Sequence, residues 1–183
     1  MALTLYHREA GEGPPVVLLH GLFGAGANLG ALARDLQSHY RVLSVDLPSH
    51  GRSAWLDAPS LPAMADALLG WMAGLGLEKA RLVGHSLGGK VAMEMVLRDS
   101  RRVAGLVVAD IAPVAYPARH DAVFEALAAV AEGRCSSREE AAEVMAAHLE
   151  EPGVIDFLGA SLRRGEDGKM YWRFDARGLR EHY

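Results

Sequence analysis

The chain has one cysteine, Cys135, in 183 residues. No disulfide can form within it, and a reducing, cytoplasmic setting is expected. Long apolar runs are absent too, because Asp, Glu, Arg or His interrupts each one, so no membrane span is expected. Basic residues are not in excess: 19 Lys and Arg stand against 23 Asp and Glu, a formal net charge of −4. That balance gives no electrostatic pull toward nucleic acid or an anionic membrane. The first 13 residues lack the basic-then-apolar pattern of a secretion signal. There is no H-E-x-x-H, no G-x-x-x-x-G-K-[ST], and no dinucleotide-binding spacing between Gly21 and Gly30. Neither a metal nor a cofactor is therefore expected. No internal repeat or low-complexity linker is present.

Half the residues are hydrophobic and 23% are charged, the composition of a globular chain with a sizeable core. Val16 to Leu19 is a wholly apolar run between Pro14-Pro15 and His20-Gly21. It reads as a strand buried on both faces. Leu29, Leu32, Ala33 and Leu36 share a helical face behind an expected Asn28 cap. Arg41 to Leu47 reads as a second strand, followed by the loop 48–53. Ser60 opens a helix with a stripe of Leu61, Met64, Leu68, Met72 and Leu75. Ala80 to Gly84 is a strand, Leu87 to Arg98 a helix, and Val103 to Asp110 a strand. This alternation predicts an α/β fold with a mostly parallel, doubly wound sheet. After Pro113 the pattern turns helical, over Ala118–Glu132 and Ser137–Glu150, with a capping box of Ser136 and Glu139. Residues 1–115 are thus expected to form the core, 116–168 a helical lid, and 169–183 an incomplete return to the core.

Gly84-His85-Ser86-Leu87-Gly88 matches G-x-S-x-G, between an apolar strand and a helix. That setting makes it a nucleophile elbow, a sharp turn that lifts the Ser86 hydroxyl above the sheet. At a helix N-terminus, free N–H groups and the dipole favour an anion. Acyl transfer also needs donors aimed at the developing oxyanion. The N–H of Leu87 is one expected donor. The turn His20-Gly21-Leu22-Phe23-Gly24 supplies the other, with Leu22 first and Phe23 second. Phe23, His20 and His85 are expected beside the substrate, and His20 also as a brace for its loop.

These segments, with Asp46 to Ser53 and Asp110-Ile111-Ala112-Pro113, occur in the order found in the α/β-hydrolase superfamily. The chain resembles in particular a branch of small serine esterases and acyl-thioesterases of bacteria and mitochondria; Arg119-His120-Asp121 and Trp172-Arg173-Phe174 share the likeness. The resemblance implies a small acyl ester or thioester as substrate. It also implies that Asp110 is the triad acid. Asp110 is expected to be buried against a histidine, with Asp46 as runner-up but better suited to holding its loop.

The superfamily's order of serine, acid, histidine leaves the base unfilled. His20, His50, His85, His120, His148, His182, His7 and His39 all stand in unsuitable settings; His85 is discounted because neighbouring side chains on an elbow should point apart. The resemblance implies about two further strands carrying the base, so the chain is expected to be truncated, to lack the last strands of the fold, to expose the edge of the 103–108 strand, and to be nearly inactive. The rival expectation is a non-catalytic binding protein on the same fold. Cys135, far in sequence from any base, is not expected to act as a nucleophile.

Overall fold

Strands that are apolar on both sides need cover on both faces of their sheet. The computed structural model, which describes residues 3–116 and 120–182, shows how that cover is provided. The chain forms two compact units, Met1–Val114 and Ala115–Tyr183. The strands of the first are β1 (His7–Ala10), β2 (Pro15–Leu19), β3 (Arg41–Val45), β4 (Ala80–His85) and β5 (Val103–Ala109). Its helices are α1 (Gly30–Leu36), α2 (Leu61–Gly74) and α3 (Leu87–Asp99). The sheet order is β1-β3-β2-β4-β5. All pairings are parallel except β1 with β3. Strand β1 carries the charged pair Arg8-Glu9 and has no apolar alternation, so its strand character was hidden in the sequence.

Register assigns the faces. Val16, Leu18 and Val42 form a cluster that Leu29, Leu32, Leu36 and Val83 join, which places α1 on that side. Val17, Leu19, Leu43 and Leu82, which point the other way, are fully buried. Helix α3 packs on β4 and β5 and against α2. Its Gly89 approaches the Val108 side chain, so α3 covers the Leu82 and Val108 face.

Of three helix starts or ends, two differ from expectation and one agrees with it. Asn28 does not cap α1; its side chain accepts from the Ala25 N–H at 2.6 Å and holds a 3₁₀ turn over Gly26–Leu29. Ser60 does cap α2, accepting from the Ala63 N–H at 3.3 Å, and Met64, Leu68 and Met72 are buried. Leu75 leaves the stripe because it is the C-cap, at 36% exposure.

The second unit contains α4 (Asp121–Gly133), α5 (Arg138–Ala146), α6 (Pro152–Gly159), β6 (Leu162–Arg164), β7 (Met170–Trp172) and α7 (Ala176–His182). Ala118 and Arg119, where a helix and part of a motif were expected, lie outside the described residues. The cap of α5 falls one residue later than the expected box. Ser137 accepts from the Glu140 N–H, and the Glu140 carboxylate accepts from the N–H and hydroxyl of Ser136, which holds its pKa below the usual range. Met170–Trp172 pairs antiparallel with Leu162–Arg164, so this segment is a hairpin within the second unit. Phe124, Leu127 and Val130 are buried, and Trp172 Nε1 donates to Leu127 O at 3.0 Å. Among the described residues no helix is long and apolar enough to cross a membrane.

Replacing the cap in Ser60→Ala should lower unfolding free energy by ~1 kcal/mol. Urea denaturation followed by far-UV circular dichroism measures it, and an unchanged midpoint would show that the cap contributes nothing.

Candidate active site

Ser86 is the N-cap of α3, with φ 51° and ψ −117°. A non-glycine residue in that region stores about 1–3 kcal/mol and persists only where its surroundings enforce it. The enforcement here is backbone on both sides. The Ser86 N–H donates to Ala109 O at 2.9 Å, and its carbonyl accepts from Gly89 and Lys90 at 2.9 and 3.1 Å. Strand and helix also approach so closely that a Cβ on Gly84 would strike the Gly88 carbonyl, and one on Gly88 would strike the Leu19 carbonyl of β2. The glycine pair is what lets α3 begin there. Leu87 is the first residue of α3, where a backbone N–H has no intrahelical acceptor. The Ser86 side chain makes no hydrogen bond among the described residues.

The turn after β2 lies against this elbow. The position a Cβ would take on Gly21 is 3.4 Å from Ser86 Cβ and 3.0 Å from His85 Nδ1. A Cβ there would touch Ser86 at ordinary contact distance and would require the His85 ring to give by a few tenths of an ångström. Within the turn, the Phe23 N–H donates to His50 Nε2 at 3.3 Å. The Gly24 N–H donates to Gly21 O at 3.1 Å. The Leu22 N–H has no protein acceptor among the described residues. The amides of Leu22 and Leu87 thus have no acceptor among the described residues, whereas the amide of Phe23, the second choice, is occupied. The Phe23 side chain is buried and its φ is 64°.

His20 is fully buried and has no nitrogen left for a ligand. Nε2 accepts from the Leu47 N–H at 2.9 Å, which puts the proton on Nδ1, facing Gly21 O at 2.8 Å. The expected substrate contact is corrected to a purely bracing role. Burial, only partly offset by the bond to Gly21, and then the neighbouring His85 charge lower its pKa to about 4. His50 does similar work: it is buried, its Nδ1 lies 3.0 Å from Pro48 O, and its Nε2 holds Phe23. Asp46 clamps both loops, accepting from the Gly26 N–H at 2.8 Å and the Arg52 N–H at 2.9 Å. His20 and Asp46 were expected to hold their own loops; their distant partners, and the part played by His50, were not legible, because these bonds span 20 or 27 residues of sequence.

Asp110 follows β5 directly, with φ 59°. It was expected to be buried, and its side chain is instead 82% exposed. The reason is positional: among the described residues β5 is the outermost strand on its side of the sheet, so its end has a described strand neighbour on one side only. The described partner of Asp110 is His85, whose Nε2 lies 3.5 Å from Oδ2. His85 does not point away from the site; its ring flanks Gly21, as Ser86 does. Of the other expected or discounted residues, His7 packs on Trp71, and His182 Nδ1 lies 2.9 Å from Gly178 O. Cys135 is buried, and that burial raises its thiol pKa, which suits packing rather than nucleophilic attack.

His20 makes the site acid-sensitive. The folded chain holds it neutral down to about pH 4, whereas the unfolded chain takes up a proton near pH 6.5. Its contribution is therefore present above pH 6.5 and is lost as pH falls toward 4, on the order of 3 kcal/mol at most. Denaturation midpoints measured from pH 7 to 4.5 should fall, and the fall should shrink in His20→Gln. Independently, Asp46→Ala leaves the buried amide of Gly26 and the part-buried amide of Arg52 without their acceptor and should cost about 2 kcal/mol; a loss under ~1 kcal/mol in urea unfolding would show that the clamp is unimportant.

A model of the alpha/beta hydrolase fold family matches residues 14–174. The chain is 43% identical over 170 residues to an esterase of Escherichia coli (strain K12), covering 92% of this chain and 65% of that protein. It is 36% identical over 177 residues to an sn-1-specific diacylglycerol lipase of Mus musculus, covering 92% of this chain and 57% of that one. A marine microorganism esterase of known structure superposes with a TM-score of 0.92 at 31% identity, covering 98% of this chain and 71% of that one. The chain thus spans between about half and two thirds of the length of these curated relatives. With its elbow and mostly parallel sheet, the chain belongs to the α/β-hydrolase family.

Proposed function

We propose that the chain carries the nucleophile half of a serine hydrolase acting on carboxylic esters or thioesters of short to medium acyl chains. The observation that carries this reading is Ser86, held at a strained φ on a helix N-terminus against Gly21 of the turn after β2. Ser86 Oγ attacks the acyl carbonyl as a histidine takes its proton. The N–H groups of Leu22 and Leu87 stabilise the oxyanion, the alcohol or thiol departs with the proton, and water hydrolyses the acyl-enzyme. Asp110 is assigned as the acid that orients the histidine. Phe23 and His85 are assigned to the walls around the acyl group, and the segment 116–168 to the lid. The relatives' names, esterase and diacylglycerol lipase, agree with ester substrates. No cofactor enters the scheme, and a cytoplasmic setting fits the lone buried thiol.

No described histidine hydrogen-bonds the Ser86 hydroxyl. That observation favours a second reading, a ligand-binding protein on the same fold. It also sets the expected rate: loss of the base costs a triad enzyme on the order of 10⁶-fold in kcat. The two readings separate by covalent trapping. A fluorophosphonate should add slowly, to one equivalent, at Ser86, as read by intact mass and peptide mapping, and Ser86→Ala should take up none. Turnover of nitrophenyl acetate should be weak. Absence of Ser86 labelling over hours would favour the binding protein.

A further inference from the structure

We propose that His20 and His50 form a crossed pair of positioning residues that aims the Leu22 amide as oxyanion donor, with the contact from His20 to the Gly21 carbonyl as the decisive one. This role rests on the serine-hydrolase reading and deepens it. The N–H of Leu22 belongs to the same peptide unit as the carbonyl of Gly21. No described peptide bond is cis, so within that planar unit the two groups point in opposite directions. Whatever holds the oxygen therefore aims the hydrogen. Two donors hold it, His20 Nδ1 at 2.8 Å and the Gly24 N–H at 3.1 Å. His20 is fully buried, so the oxygen is turned toward the interior and the Leu22 N–H away from it. Gly21 itself borders the elbow, since a Cβ there would lie 3.4 Å from Ser86 Cβ.

Two loops exchange side chains to make this hold. His20 follows β2, and its Nε2 accepts from the Leu47 N–H, on the loop after β3, at 2.9 Å. That bond leaves the proton of the neutral ring on Nδ1, facing Gly21. His50 stands on the loop after β3, and its Nε2 accepts from the Phe23 N–H, on the turn after β2, at 3.3 Å. Its own Nδ1 faces Pro48 O at 3.0 Å. Each loop thus fixes the other, and the two rings meet edge-on. The amides are sorted as a result: His50 takes the one on Phe23, and His20 leaves the one on Leu22 for the developing charge. Gly24 serves the same contact. A Cβ there would stand 3.1 Å from Gly21 O and 3.2 Å from His20 Nδ1, crowding both partners.

Substitution separates the two nitrogens of His20. An asparagine amide falls near Nδ1 and can donate to Gly21 O, whereas a glutamine amide falls near Nε2 and can accept from Leu47. Saturation kinetics of fluorophosphonate labelling at Ser86 are measured on the 183-residue chain. His20→Gln should lower the limiting labelling rate about 100-fold with the half-saturating concentration unchanged, and His20→Asn should recover most of that loss. At position 50 the order reverses: His50→Gln, which keeps an acceptor for Phe23, should label faster than His50→Asn. Equal losses in the Gln and Asn variants, or losses that only follow the unfolding midpoint, would reduce both rings to structural supports and overturn the proposal. Normal labelling of His20→Gln would overturn it while leaving the hydrolase reading intact; no labelling of the unsubstituted chain would remove both. Should the His20 variants fail to fold, ¹⁵N spectroscopy of the unsubstituted chain decides. His20 should carry its proton on Nδ1 at neutral pH, and a proton on Nε2 would end the proposal.

Discussion

A helix that begins immediately after a strand, with its first turn pressed on a neighbouring strand's carbonyls, leaves no room for side chains at the contact. Gly84 and Gly88 meet that demand. Ser86 sits between them in a conformation it would not adopt alone. Much else at the site follows from this contact. It fixes the height of the hydroxyl, exposes the amide of Leu87, and brings Gly21 against Ser86 so that the turn after β2 joins the site. The sheet and α3 act as scaffold for one strained residue.

The loops that meet there are held by buried polar groups rather than by apolar packing. His20 joins its own turn to Leu47, His50 joins Pro48 to Phe23, and Asp46 ties Gly26 to Arg52. Each satisfies backbone groups that would otherwise be stranded away from water. Loops carry such groups unavoidably, and this protein meets the need with imidazoles and a carboxylate. The rings of His20 and His50 also meet edge-on, 5.3 Å apart, so the two braces support one another.

The parallel core was legible because apolar runs between glycine and proline turns have few alternatives. The elbow was legible because its glycines sit where strand and helix must collide. What escaped was determined by long-range pairing. Strand β1 is charged and gains strand character only from β3, and β6 and β7 are three residues each. The expected Asn28 cap and the expected Ser136–Glu139 box were each displaced by one residue, the scale on which helix ends compete. Asp110 was placed correctly at the strand end, but burial there depends on neighbours beyond β5, which local sequence does not reveal. The expectation that the His85 and Ser86 side chains point apart did not hold at Gly21, which both of them approach.

Contact between α3 and the β2 carbonyls has a consequence for how the site responds to heat. With Gly88 wedged against Leu19, the hydroxyl-bearing bend and the amide of Leu22 cannot drift apart without separating two central strands. Their alignment is a property of the sheet's integrity, not of loop mobility. Disorder would reach the reacting geometry late, together with the collapse of the core itself, while the outer loops had already begun to loosen.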